Sequence, residues 1–272
     1  MPDVYLTIAA AEPDVVGVLA DILERRAADP QQRAMREDYL AGVDFGRGAR
    51  VVEVGCGSGA VARALAARAD VGDVVGVDPS PGFLERAREL AADLPELSFV
   101  EGDAAALPFD DGWADVVVSH TVLCHVAEPA VALAEASRIL RPGGRLAVFD
   151  GDYATTTVAT GPADPLQACV QACLETVVHD PWLARRLPAL LRDAGFADMR
   201  LRGHSYVEAP SSDGYLLTLV DRGADALHAA GRVGAETVAA LKAEARRRCV
   251  AGEFFGHIAY ISAIALKPGD AA

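Results

Sequence analysis

The chain has 272 residues, 51% of them hydrophobic, and a formal net charge of −14. This length is enough to bury a large core without requiring two domains, while the acidic balance argues against a DNA or RNA partner. No apolar run reaches the roughly 18 residues of a membrane span, no signal peptide is evident, and five cysteines without paired C-x-x-C spacing favour reduced thiols in a cytoplasmic protein.

The first 41 residues are predicted to form a helical cap. Apolar residues recur at helical spacing from Asp14 to Ala27, and a second helix is predicted from Gln31 to Leu40. Residues 42–272 are then expected to form one α/β domain.

A strand, a glycine turn and a helix follow the cap. The β-branched run Val51, Val52 and Val54 ends at the turn Gly55-Cys56-Gly57-Ser58-Gly59, and helical spacing resumes after it. Such a turn brings backbone N–H groups and a helix N-terminus close to a ligand above the end of the strand. The turn therefore predicts a site for a nucleoside-containing cofactor.

Further strands alternate with helices. Strands are predicted at 73–77, 97–101, 114–119 and 145–150, with helices at 80–94 and 129–140 between them. This alternation indicates parallel βαβ units in one sheet, whose ligands lie beyond the carboxyl ends of the strands. Polar or glycine residues fall at those ends: Glu53, Gly55, Asp78, Asp103 and Ser119.

The C-terminal part is predicted to complete the sheet and cover the site. Helices are expected at 165–178 and 181–194, and the last two strands at 199–208 and 254–266 should form an antiparallel edge. The fold class is a Rossmann-like, doubly wound, seven-stranded sheet, mostly parallel with an antiparallel last strand. Two segments, at about 153–180 and 211–248, are long enough to act as lids over a small-molecule pocket.

The glycine turn alone leaves two cofactors open. Gly55, Gly57 and Ala60 also satisfy the G-x-G-x-x-G/A dinucleotide fingerprint, and Asp78 follows at about the distance of a ribose-binding acid. An NAD-dependent oxidoreductase is therefore an alternative on this motif.

Four motifs in order favour a different family. EVGCGSG, VDPS, EGDAAALPFDDGWADVV and RPGGRL together, over about residues 50–150, resemble the class I S-adenosylmethionine-dependent methyltransferases. The similarity is greatest to the small-molecule branch that includes the ubiquinone/menaquinone-biosynthesis type. The cofactor that this implies is S-adenosyl-L-methionine, with a small-molecule substrate, no metal, and a monomer or homodimer.

The resemblance also implies roles for individual residues. In that family the glycine turn contacts the methionine moiety and ribose, the acid here at Asp78 binds the ribose hydroxyls, and the acid here at Asp103 reads the adenine amino group. Segments such as the cap often cover the cofactor in this family, and Arg36 or Tyr39 is expected to reach the methionine end. The full predicted cofactor set is Arg36, Glu53, Gly55, Cys56, Gly57, Gly59, Asp78, Pro79, Phe83, Asp103, Ala104 and Ser119.

A sulfonium-bound methyl group is already electrophilic, so the protein needs chiefly to align the nucleophile, and a base helps only where a proton must leave. His120, just past the fourth strand, is the predicted catalytic residue; His125 is expected to hold its loop, and Asp152, Tyr153, His179 and His257 are weaker candidates.

The expected reaction is methyl transfer to an O, N or C atom of a small molecule, in the setting of bacterial secondary metabolism that the Ala- and Arg-rich composition suggests. The alternative is a methyltransferase-fold enzyme that binds the cofactor but cyclises or rearranges its substrate.

Overall fold

The computed structural model describes residues 3–208 and 214–269, and within them seven strands form one sheet. The strands are β1 (Ala49–Val54), β2 (Val71–Asp78), β3 (Leu97–Glu101), β4 (Ala114–His120), β5 (Leu140–Thr157), β6 (Ala197–Glu208) and β7 (Gly256–Leu266), in the order β3-β2-β1-β4-β5-β7-β6. The first five run parallel, and β7 is antiparallel to both β5 and β6. The predicted fold class is confirmed.

The strand order places the ligand crevice. The chain moves outward from β1 to β2 and β3, then returns to place β4 on the other side of β1. A parallel sheet opens a crevice beyond the carboxyl ends of the strands at such a reversal. The central strands are valine-rich because they are covered on both faces: Val51, Val52 and Val117 have no exposed surface.

Nine helices are assigned in the described part of the chain. They are α1 (Pro13–Ala28), α2 (Pro30–Ala41), α3 (Ala60–Ala66), α4 (Pro81–Leu90), α5 (Pro129–Ile139), α6 (Pro165–Val177), α7 (Leu183–Asp193), α8 (Tyr215–Ala229) and α9 (Ala235–Ala251). Five of them begin with proline, whose fixed φ suits the first helical position and whose missing N–H costs nothing there. The second predicted lid, 211–248, corresponds to α8 and most of α9; its first three residues lie outside the described residues.

The prediction for β5 was too short. The sequence predicted a strand at 145–150 and a lid segment from about residue 153, whereas β5 runs from Leu140 to Thr157. The Thr155 hydroxyl accepts a hydrogen bond from the Ala259 backbone N–H of β7 at 2.9 Å and donates to the Asp152 carbonyl at 2.7 Å. Hydrogen bonds from a side chain thus hold the segment in the sheet where the register with β7 shifts.

The basic run Arg246-Arg247-Arg248 near the end of α9 forms ion pairs. Arg246 pairs with Asp221 at 2.8 Å, Arg247 with Glu244 at 2.8 Å, and Arg248 with Asp164 at 2.6 Å. The last pair is buried and ties α9 to the N-cap of α6, because Asp164 also accepts the Leu166 backbone N–H at 3.1 Å.

We expect Asp164→Ala to lower the free energy of unfolding by about 2 kcal/mol, because it removes a helix cap and one of the two carboxylate partners of the largely buried Arg248, which keeps its pair with Glu244 at 2.9 Å. The pKa of Asp164 is lowered to about 2: burial raises it, but hydrogen bonds from Arg248 and from backbone N–H groups outweigh that effect. A depressed carboxyl pKa stabilises the fold above the unfolded value and loses that effect as the pH falls through about 2.

Urea denaturation at pH 7 and pH 3 checks this expectation. The difference between the wild type and the variant should shrink at pH 3. The matched control is Asp225→Ala, which breaks the exposed pair with Lys242 and should cost less than about 1 kcal/mol. Equal costs for the two variants would contradict the structural role of Asp164.

Candidate active site

A large cavity lies over the carboxyl ends of β1, β2 and β4. Its volume is about 380 Å³, within the range of small-molecule sites. One end is formed by the glycine turn and the acids that follow the strands, and the other by residues of α1, α6, α8 and the segment before α1. We call these the turn end and the tyrosine end; the latter is lined by Tyr5, Arg26, Tyr153, Val177, Val178, Tyr215, Leu219 and Arg222.

The glycine turn is fixed by its own backbone and by α1. Gly57 has φ +53°, a conformation that favours glycine, and a Cβ there would lie 2.8 Å from the end of the Leu23 side chain of α1. Glu24 of α1 accepts from the Ser58 hydroxyl at 2.6 Å and pairs with Arg63 at 2.7 Å. The N-terminal helix is thereby fastened directly over the turn.

Asp78 is buried at the end of β2 with both oxygens already bonded. One accepts the Gly57 backbone N–H at 2.8 Å and the other the Ser80 N–H at 2.9 Å. A carboxylate offers about four acceptor positions, so each oxygen keeps one for a further donor such as a ribose hydroxyl. The helix cap is a different residue: Ser80 accepts from the Phe83 N–H and caps α4.

Glu53 carries a buried oxygen without a partner. Its side chain is at the end of β1, and Oε2 has no hydrogen bond within the described chain. Burial raises its pKa to about 8, and burial likewise raises that of Asp78 to about 6. Buried polar atoms are normally paired, so two adjoining carboxyls, one of them incompletely bonded, suit a ligand that brings a positive charge.

Arg36 of α2 lines the same end and is also incompletely bonded. Its Nε is buried without a partner in the described residues, and one terminal nitrogen donates to the Ala27 carbonyl at 3.4 Å. A cation and an unpaired carboxyl oxygen in one compartment match the carboxylate and ammonium of an amino-acid group. The residues present therefore fit the methionine end of S-adenosylmethionine.

The cofactor-site charges predict a pH dependence. At pH 5.5 Glu53 and Asp78 are largely protonated, whereas at pH 8.5 both ionise and attract a cationic ligand. We expect S-adenosylmethionine to bind more tightly as the pH rises between these values. Because raised carboxyl pKa values stabilise the fold only while the groups are protonated, the unliganded protein should melt at a lower temperature as the pH rises through these pKa values.

Titration calorimetry at pH 5.5, 7 and 8.5 measures the affinity. In Glu53→Gln the increase between pH 7 and 8.5 should disappear, since only the Asp78 step near pH 6 remains. Comparing variants at the same pH removes the ligand's own titration, and Glu96→Gln, at an exposed position, is the control. A wild-type profile retained in Glu53→Gln would contradict this account.

The other predicted cofactor residues divide into two groups. Gly55, Cys56, Pro79, Phe83, Asp103 and Ala104 line the turn end with those above. Asp103 turns back to accept the Ala105 N–H at 2.7 Å, which leaves its second oxygen available. Gly59 and Ser119 lie outside the cavity lining: a Cβ on Gly59 would meet Phe99, and the Ser119 hydroxyl is buried in β4 without a partner among the described residues.

His120 lines the cavity between its two ends. It stacks on Phe149 with ring centroids 4.7 Å apart, and its Nδ1 lies 3.0 Å from the Tyr39 hydroxyl. Burial, and then the charges of Arg26 and Arg36, hold its pKa well below the usual value, so the ring is neutral. A neutral ring that accepts from Tyr39 at Nδ1 carries its proton on Nε2 and acts as a donor; a base requires the other tautomer.

Most of the other candidate catalytic residues form hydrogen bonds or ion pairs with residues of the chain. His125 pairs with Asp3 at 2.7 Å, and Asp3 also accepts the His179 N–H at 2.8 Å, which agrees with a loop-holding role. Asp152 pairs with Arg185 at 2.8 Å, and His257 bonds Ser205. Of His125, Asp152, Tyr153, His179 and His257, only His125 and Tyr153 line the cavity.

The sequence reasoning missed Tyr5, Arg26, Tyr215 and Arg222 at the tyrosine end. They come from separate segments, and nothing in their local spacing connects them. Within residues 3–208 and 214–269, no group of three potential ligands could hold a metal ion, and no helix is long and apolar enough to cross a membrane.

Comparison with known proteins agrees with the site. Residues 52–148 match the model of a methyltransferase domain. A 37.1 kDa uncharacterised protein of transposon TN4556 from Streptomyces fradiae is 35% identical over 69% of this chain and 54% of its own length. Demethylmenaquinone methyltransferase of Staphylococcus aureus (strain JH9) is 33% identical over 47% of this chain and 54% of its own. The chain thus spans about half the length of both relatives.

A solved structure shares the fold. Phosphoethanolamine N-methyltransferase 2 of Haemonchus contortus, in complex with S-adenosyl-L-methionine, superposes with a TM-score of 0.56 at 16% identity, over 86% of this chain and 52% of its own. The domain match and the relatives support the predicted resemblance to class I S-adenosylmethionine-dependent methyltransferases and S-adenosylmethionine as the cofactor, and the solved structure shows the shared fold.

Proposed function

We propose that this protein transfers a methyl group from S-adenosylmethionine to a small-molecule acceptor bound at the tyrosine end of the cavity. The observation that carries the proposal is the pair of incompletely bonded groups beside the glycine turn, the Glu53 carboxyl and the Arg36 guanidinium. They complement an amino-acid group on a nucleoside, which a nicotinamide dinucleotide lacks.

The residues of this chain would hold the cofactor at four points. Asp78 offers its remaining acceptor positions to the ribose hydroxyls, and Asp103 with the Ala104 backbone reads the adenine. Arg36 binds the carboxylate and Glu53 the ammonium. The predicted contacts of Gly55, Cys56 and Gly57 follow from the close approach that the turn permits.

When bound, the cofactor supplies a methyl group made electrophilic by its sulfonium. The protein then contributes alignment and exclusion of water, which the enclosing helices and the segment before α1 provide. His120, between the two ends, holds the acceptor by its Nε2–H or, in the other tautomer, takes a proton from it. Acceptor atoms of O, N or C type are all compatible with this arrangement.

A small acceptor is supported by the cavity volume of about 380 Å³. The setting in bacterial biosynthesis rests on composition alone, and residues 1–41 and the lid segments are proposed as the elements that cover the cofactor and the acceptor.

The test is mass spectrometry of reactions containing S-adenosylmethionine and panels of small phenols, amines and carbon acids. The proposal expects S-adenosylhomocysteine to form only with an acceptor, together with a product larger by one methylene. Conversion of the acceptor to an isomer without loss of the cofactor's methyl group would instead establish the cyclase or rearrangement reaction.

A further inference from the structure

The tyrosine end of the cavity contains a buried cation. Arg26, near the end of α1, has its guanidinium carbon 5.4 Å from the ring centroid of Tyr215 and 5.6 Å from that of Tyr260. One terminal nitrogen donates to the Tyr260 hydroxyl at 3.4 Å. Burial raises the pKa of the Tyr5 and Tyr153 hydroxyls, and the Arg26 charge opposes that rise in both. Arg26 thus lies among four tyrosines.

No carboxylate neutralises Arg26 in the described part of the chain. Four acids on nearby elements have other partners. Asp3 pairs with His125 and accepts the Tyr5 and His179 N–H groups, and Asp152 pairs with Arg185. Asp150 accepts the Cys124 and Gly151 N–H groups, and Glu208 accepts the first N–H groups of α8. A charge taken from water normally has a counter-ion. The cavity is the side from which a counter-ion can reach Arg26.

A second cation lies at the same end. Arg222 of α8 lines the cavity, and no hydrogen bond or ion pair connects it to another described residue. The acids that line the cavity are Glu53, Asp78, Asp103 and Glu128, and none of them belongs to the tyrosine end. The lining of that end therefore carries two arginines and no carboxylate, in a protein whose net charge is −14.

Arg26 and Arg36, the two arginines of the N-terminal helices that line the cavity, belong to different ends of it. Arg36 acts on Glu53, whereas Arg26 is surrounded by the rings that would face the acceptor. An aromatic cage is a common site for cationic ligands, but here Arg26 already occupies it and would repel a second cation. Its exposed donors are instead suited to a carboxylate or another organic oxyanion.

We propose that Arg26 is a specificity-determining residue that selects an acceptor carrying a carboxylate or similar oxyanion, with its apolar body packed against Tyr5, Tyr153 and Tyr215. This inference rests on the proposed function, since it assigns the tyrosine end to the acceptor. Arg222 adds to the positive field at the same end.

The experiment uses the full chain saturated with S-adenosylhomocysteine. Calorimetric titration compares three matched sets of probes: aryl and alkyl carboxylates (4-hydroxybenzoate, 4-hydroxyphenylacetate, hexanoate), their methyl esters, and the corresponding primary amines. We expect the carboxylates to bind at least about tenfold more tightly than the esters, as expected for a partly buried charged hydrogen bond, and the amines most weakly.

Substitution assigns the preference to one residue. Arg26→Gln should remove the carboxylate preference while leaving affinity for the esters within about twofold, and Arg26→Lys should restore part of it. Arg25→Gln, at the adjacent exposed position of α1, is the control and should retain the wild-type order. A merely structural role of Arg26 would lower all three sets alike.

The outcomes separate the two proposals. Failure of S-adenosylhomocysteine itself to bind would contradict the proposed function. Normal binding of that ligand, with carboxylates bound no better than esters or not at all, would overturn the inference about Arg26, as would a carboxylate preference that persists in Arg26→Gln.

Discussion

Asp78→Asn is expected to weaken S-adenosylhomocysteine binding by about a hundredfold at pH 8. Both oxygens of Asp78 already accept a backbone N–H, and the two remaining acceptor positions are those assigned to the ribose hydroxyls. Asparagine has the same shape as aspartate, but an NH₂ donor replaces one of the two acceptor oxygens. The variant therefore loses one hydrogen bond to the ribose, and its NH₂ group faces a backbone N–H, with which it cannot form a hydrogen bond. Hydrogen bonds to a charged group are worth about 1.5–3 kcal/mol each, which accounts for the size of the effect.

The substitution must be separated from damage to the fold. Asp78→Asn also disturbs the glycine turn through Gly57, so thermal unfolding of the unliganded variant is measured in parallel. Asp73→Asn, at an exposed position of the same strand, is the matched control and should bind normally. A folded Asp78→Asn protein with wild-type affinity would contradict the assignment of Asp78 to the ribose hydroxyls.

Arg36→Met is expected to weaken S-adenosylhomocysteine binding by about thirtyfold, since it removes the cation assigned to the ligand carboxylate. The same variant should bind 5′-methylthioadenosine, which lacks the amino-acid group, as tightly as the wild type. This pair of ligands localises the loss to one end of the site, because a general distortion of the cavity would weaken both.

Calorimetry on the two ligands measures the effect. Arg33→Met is the control, because Arg33 is exposed, lies on the same helix and also donates to a backbone carbonyl, that of Ala28. Equal losses for the two ligands in Arg36→Met would show that Arg36 supports the cavity and does not bind the carboxylate.

The sheet could be predicted because its signals are local. β1, β2 and β4 are short valine-rich runs, β1 is followed by glycine and β2 ends in an acid, and the alternation with helices indicates parallel strands. The same logic placed Glu53, Asp78 and Asp103 at one edge, where the structure has them. The extension of β5 could not be predicted, because the Thr155 hydroxyl substitutes for a regular backbone partner on a strand a hundred residues later.

The acceptor compartment could not be predicted, because it depends on contacts between distant segments. In the sequence, Arg26 is an ordinary basic residue near the C-terminal end of an amphipathic helix, where the helix dipole favours a positive charge. Only the contacts of its side chain with Tyr215 of α8 and Tyr260 of β7 show that it lies among tyrosines. Ser119 shows the converse: it is a polar residue near the end of a strand, but it does not line the cavity.

The most direct test of the central claim is titration calorimetry of the wild-type chain with S-adenosylmethionine, S-adenosylhomocysteine and NADH at pH 8. The account predicts saturable binding of one molecule of either sulfur ligand per chain and no heat from NADH. Binding of NADH without binding of the sulfur ligands would contradict it and assign the glycine turn to a dinucleotide.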